Sequence, residues 1–84
     1  MPLRFGDNVS AADTDYGTVL LDEQGGVYWE LNPTATLVLR TLLDGGEEAD
    51  AAAALVREFD IDQAQAVLDV ETLVRELRQS GLAS

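Results

Sequence analysis

The side chains able to do chemistry in this chain are few in kind. It has no cysteine, no histidine and no lysine, which excludes thiolate chemistry and the commonest general base. Catalysis would have to rest on carboxylates, tyrosine or serine alone. Sixteen Asp and Glu residues are present, but abundance on a surface is not a paired constellation with separated pKa values. The acids of Asp13-Thr14-Asp15 and Glu47-Glu48 lack calcium-loop spacing. Gly25-Gly26 and Gly45-Gly46 are isolated doublets with no following Lys-Ser/Thr, so they read as turn and helix-stop residues rather than phosphate loops. Acidic helical carriers need a serine after an aspartate for their prosthetic arm. Ser10, Ser80 and Ser84 offer none, and a tryptophan-bearing hairpin is foreign to an all-helical carrier. The expectation is a protein that is not an enzyme, with no catalytic residue, no metal site and no cofactor.

Charge narrows the partners. The five basic residues are all arginine, and the net charge is −11. Nucleic acid and anionic membrane surfaces are both held by Lys and Arg, so neither is expected as a partner. The acids read as a solvated, solubilising surface. Eighty-four residues allow one small domain, spanning residues 1–84. MPLRFGDN lacks signal-peptide character and no apolar run is long enough to span a bilayer, so a cytoplasmic protein is expected.

Binding without reactive groups then depends on the elements. Residues 1–8 carry no periodic pattern and read as an irregular arm. Residues 9–15 have faint strand character. Residues 18–22 and 27–31 are two clearer strands, joined by the turn cluster around Gly25-Gly26. In the third strand Val27, Trp29 and Leu31 share one face, while Tyr28 and Glu30 share the other. Asn32-Pro33 is an N-cap followed by proline at the first helical position. A helix over 33–44 follows, with Ala35, Val38, Leu39 and Leu42 as its apolar stripe. A second helix over 48–59 has Ala52, Leu55, Val56 and Phe59 as its stripe. A third starts at Asp62, three residues before Gln65 in capping-box spacing, and runs to Gln79 with Gly81 as its stop. The fold class is α+β: a three-stranded antiparallel sheet followed by three helices, in winged-helix-like order.

On the third helix Ala66, Val70, Leu73 and Leu77 form a tight stripe for the core. Val67 and Val74 lie on a flank roughly 80–100° away, with Glu71 and Arg78 close by. They either widen the buried face or line a groove, and both readings fit the periodicity. Asp69 lies on the other flank.

The ordered combination VLLD–turn–GG, an aromatic before Glu-Leu-Asn-Pro, a helix ending LLDGG, and then Leu55, Phe59, Asp69, Leu73, Leu77 and Gly81-Leu82 resembles the PqqD-like peptide-recognition domains, also called RiPP recognition elements. The resemblance covers residues 9–82. A stand-alone chain of this length is similar to the leader-binding proteins of lasso-peptide pathways. The resemblance implies that a precursor's leader peptide adds as a strand along residues 27–31 and lies against the third helix. Leaders of that branch carry a spaced Tyr, Pro and Leu. Carried onto this chain, the strand positions are Val27, Tyr28, Trp29 and Glu30. The groove positions on the helix, inferred from helical geometry, are Val67, Glu71, Val74 and Arg78, with Asp69 as a further candidate. The resemblance also implies presentation of the precursor to a separate cysteine-type leader peptidase, before an ATP-dependent cyclase closes the ring. Without peptide, the same edge is open to pairing with a second copy as a homodimer.

The alternative is a winged-helix DNA-binding regulator, because the element order suits it. A recognition helix needs basic and amide side chains, whereas the third helix offers Asp69, Glu71 and Glu76 against Arg75 and Arg78. Affinity for duplex DNA at physiological salt is therefore expected to fall below the ~10⁻⁴–10⁻⁶ M of non-specific binders. A fluorescence-anisotropy titration giving submicromolar affinity for an operator-like duplex would restore the regulator.

Overall fold

A computed structural model describes residues 3–84. The strands are β1 (Val9–Thr14), β2 (Gly17–Asp22) and β3 (Val27–Leu31), and the helices are α1 (Pro33–Leu43), α2 (Glu48–Phe59) and α3 (Gln63–Gln79). The sheet is antiparallel in the order β1-β2-β3. Register pairs Leu20 with Trp29 and Thr18 with Leu31, which directs all four toward the helices. The β2–β3 turn is held by the Asp22 carboxylate, which accepts from the Gln24 and Gly25 amides at 3.1 and 3.2 Å. β1 extends past the cover of the helices, and apart from Val9 its residues are exposed. An Arg40–Asp13 ion pair of 2.6 Å joins α1 to it. Both groups are more than half exposed, so the pair contributes about 0–1 kcal/mol.

The passage from β3 to α1 is a tight corner. The Asn32 side chain accepts hydrogen bonds from the Ala35 amide and the Thr34 hydroxyl, both at 2.9 Å, and Pro33 occupies the first turn. Gly17 backs this corner at φ +148°, where a Cβ would lie 1.9 Å from the Leu31 carbonyl oxygen. No other residue type fits there. α2 starts with Asp50 accepting from the Glu47 amide at 2.8 Å, and it ends on Asp60 in the left-handed conformation. At the start of α3, Asp62 accepts from the Ala64 amide at 3.1 Å. The capping box with Gln65 does not form, because the Gln65 amide donates instead to Asp69, one turn further on, at 2.7 Å.

The core joins Leu20 and Leu31 of the sheet to Val38, Leu39 and Leu42 of α1, Leu55 of α2, and Ala66, Val70, Val74 and Leu77 of α3. Two helices are rotated relative to the sequence-based stripes. α2 buries Ala51, Ala52, Ala54 and Leu55, leaving Val56 and Phe59 substantially exposed. It packs against both α1 and α3, and its alanines allow close approach on two sides, which widens the buried arc away from Val56. α3 packs mainly on α2; its buried arc runs from Ala66 to Val74, and Leu73 is only half-buried. Val74, at 5 % exposure, is a core residue.

The expected irregular arm is also tied down. Arg4 and Ser84 exchange backbone hydrogen bonds of 3.1 and 2.8 Å, the Gly6 amide donates to the Leu82 carbonyl at 3.0 Å, and Phe5 bridges Ala83. Leu3, Leu82 and Ala83 are buried in the core. Residues 1 and 2 of the expected arm lie outside the described residues.

Gly17→Ala should destabilise the domain by about 3 kcal/mol or more, from backbone strain plus the carbonyl clash. Gly45 also has positive φ, but open space surrounds its Cβ position, so Gly45→Ala should cost only ~1–2 kcal/mol. Thermal melts of the two variants check the order; equal losses would remove the special role of Gly17.

Candidate functional site

Among the described residues β3 pairs with β2 alone. Its far edge presents backbone N–H and C=O groups with no partner strand among the described residues. α3 contacts α1 and α2 but makes no close approach to β3. A cleft of about 250 Å³ opens beside the β3–α1 corner. Asn32, Thr34, Ala35 and Val38 supply one side of it, Leu55 of α2 also lines it, and Asp69, Thr72, Leu73 and Glu76 of α3 supply the other side. The lining is mixed, with aliphatic groups beside amide, hydroxyl and carboxylate groups.

The strand positions predicted from sequence all lie on this edge strand. Trp29 is half-buried on the helix side and packs against the core. Val27 shares its face but is 52 % exposed, because it lies at the hairpin end beyond the helices. Tyr28, 61 % exposed, and Glu30 are on the solvent face, where Val19 and Leu21 of β2 are their register partners.

The helix positions are divided by the fold. Asp69 alone lines the cleft. Val74 and Arg78 border a separate cavity of about 520 Å³, with Leu3, Leu42 and the α1–α2 loop. Val67 and Glu71 border a shallow depression at the start of α3 with Leu68. The expectation that the Val67–Val74 flank is a single groove facing the strand is therefore corrected: Val74 widens the buried face, and the Asp69 flank turns toward the corner. Sequence reasoning missed Asn32, Thr34, Thr72, Leu73 and Glu76 as cleft residues. A signal for the helical ones exists: Asp69, Thr72, Leu73 and Glu76 have i, i+3, i+4, i+7 spacing, so they share one face. Three of the four are polar, and a polar face reads as solvated.

Among the described residues no group of three acidic side chains is arranged to hold a metal ion, and no helix is long and apolar enough to cross a membrane. The site has the means to bind an extended chain through backbone pairing and side-chain pockets.

Placing Val74 in the core generates a test. Val74→Glu buries a charge and should cost on the order of 4 kcal/mol or more, enough to unfold a domain this small. Leu73→Glu puts the carboxylate at the cleft and should leave a folded protein with a moderately lower melting temperature. Circular-dichroism melts that rank the two the other way would return Leu73 to the core.

The family model for coenzyme PQQ synthesis protein D (PqqD) matches residues 17–83. The solved structure of a lasso peptide synthetase B1 complexed with the leader peptide superposes with a TM-score of 0.93 and 42% sequence identity, covering 100% of this chain and 99% of that one. TbiB1 in complex with the TbiA(beta) leader peptide superposes with a TM-score of 0.85 and 25% identity, over 96% of this chain and 94% of that one. No curated protein matches the chain significantly.

Proposed function

The chain belongs to the PqqD family, and we propose that it binds the leader segment of a ribosomally made precursor peptide and presents it to a separate leader peptidase in lasso-peptide biosynthesis. The observation that carries this reading is the unpaired edge of β3 beside the cleft at the β3–α1 corner. The similarity to B1 proteins solved with leader peptides supports it. The leader adds as a fourth strand along Val27–Leu31, where main-chain hydrogen bonds set its register. Its side chains on the helix side enter the cleft and meet Leu73 and Asp69, while those on the other side meet Tyr28 and Glu30. The protein does no chemistry of its own. Cleavage belongs to a cysteine-type peptidase, which meets the precursor held in one register with its far end free. The reading places the protein in the cytoplasm, where the precursor is translated, with no nucleic acid as partner. Without leader, the β3 edge is available to a second copy.

Two measurements test this. Titration of a fluorescein-labelled leader from a lasso precursor should give saturable anisotropy, and Leu73→Glu should weaken it at least tenfold while the protein stays folded. Amide hydrogen exchange should slow at alternate residues of β3 when leader is bound, because only every second amide of a strand points outward. Binding without protection in β3 would rule out strand addition. No saturable binding to any lasso leader would remove the proposed function itself.

A further inference from the structure

We propose that Asp69 and Glu76 make the cleft selective for an extended peptide carrying an aliphatic side chain with a lysine or arginine two residues away on the same face. This inference rests on the peptide-binding reading and specifies the chemistry of the segment bound. Leu73, Ala35, Val38 and Leu55 provide the apolar seat in the cleft. Asp69 precedes Leu73 by four residues and Glu76 follows it by three, so the carboxylates flank it by about 6 Å and about 4.5 Å along the helix. Same-face neighbours on a strand are ~6.6 Å apart. In a segment that runs along α3, a side chain seated on Leu73 carries its i−2 and i+2 neighbours to the level of the two carboxylates.

Among the described residues neither carboxylate has a cation partner. The ion pairs among the described residues are Arg40–Asp13 and Arg57–Glu58. Among the described residues Asp69 accepts only the neutral Gln65 amide. Arg75 and Arg78 leave α3 roughly 100–180° away from Asp69 and Glu76. The facing wall at Asn32 and Thr34 is neutral. An acidic peptide entering this cleft would meet two like charges and a net charge of −11, whereas a basic one completes the pairing and is drawn in electrostatically.

The test is selection from a phage-displayed library of random 12-residue peptides, on the wild-type protein and on the Asp69→Asn/Glu76→Gln variant, with melts confirming that both are folded. The wild type is expected to enrich an aliphatic residue with Lys or Arg two positions away, and the variant to enrich the aliphatic residue without the basic one. The leading wild-type peptide, resynthesised with its basic residue changed to glutamine, should then bind about fivefold more weakly to the wild type and equally to the variant. Raising ionic strength should weaken only the charged pairing. Aliphatic enrichment with no basic preference in the wild type would overturn the proposal and leave peptide binding intact. So would equal loss of affinity in wild type and variant on removing the basic residue. Failure of both proteins to enrich any peptide would count against peptide binding itself, and the charge proposal would go with it.

Discussion

The corner at which β3 becomes α1 is the constraint on which the rest of the structure depends. Leu31 is buried, Asn32 ties down the first turn, Pro33 fixes the helical entry, and the Gly17 backbone comes so close to the Leu31 carbonyl that no side chain fits between them. Three consequences follow from this one junction. The direction of α1 across the sheet is set, because the helix starts without a flexible linker. β3 stops while still at the sheet's edge, since the chain leaves the sheet plane instead of adding another strand. One wall of the cleft is built from the cap itself, through Asn32, Thr34 and Ala35. A helix cap is a locally determined structure, and it puts the wall in place before any peptide arrives.

The opposite wall depends on a less local arrangement. α3 is held at its distance from the sheet by α2, whose alanine faces let it lie close to both α1 and α3. The N- and C-terminal segments pair with each other and bury Leu3 and Leu82, and Leu3 borders the cavity beside Val74. The face of α3 toward the corner is Asp69, Thr72, Leu73 and Glu76. The chain therefore spends its limited apolar surface on fixing α3 from behind and from one side, and the side facing β3 stays open.

Local signals in the sequence located all six elements. Asn32-Pro33, the Gly25-Gly26 turn and the Gly81 stop act within a few residues, and the strand over 27–31 is bounded by two of them. The two faces of β3 were legible from alternation alone, which separates Trp29 from Tyr28 and Glu30. Faces of helices were less legible, because which stripe is buried depends on what packs against it. Val56 and Phe59 look like core residues by size, but Ala51 and Ala54 are buried in their place because two helices press against α2. On α3 a shift of one position moved Val74 inward and Leu73 to the cleft. A 100° repeat gives the relative order of side chains around the axis; the direction of the axis relative to the corner comes only from tertiary packing. The pairing of residues 3–6 with the C-terminus left no periodic trace at all, since a single isolated bridge has no pattern to repeat.

The division of labour between strand and helix has an energetic reason. An edge strand binds any extended peptide through the same N–H and C=O groups, and each such hydrogen bond is worth only about 1 kcal/mol net because water must be displaced from both partners. Ordering five or six peptide residues costs a comparable amount per residue. Backbone pairing thus comes close to cancelling itself; it defines register and direction but leaves little surplus to distinguish one peptide from another. The surplus has to come from side chains that leave water, and the helix-side cleft with Leu73 at its centre is suited to removing them from it. In the proposed binding mode, changes at Asp69, Thr72, Leu73 or Glu76 would alter which peptide is preferred without touching the sheet, the Asn32 cap or the Gly17 contact. In the proposed binding mode β3 is generic and α3 is selective, so the acidic character of that one helical face would matter more for recognition than the total charge of the chain.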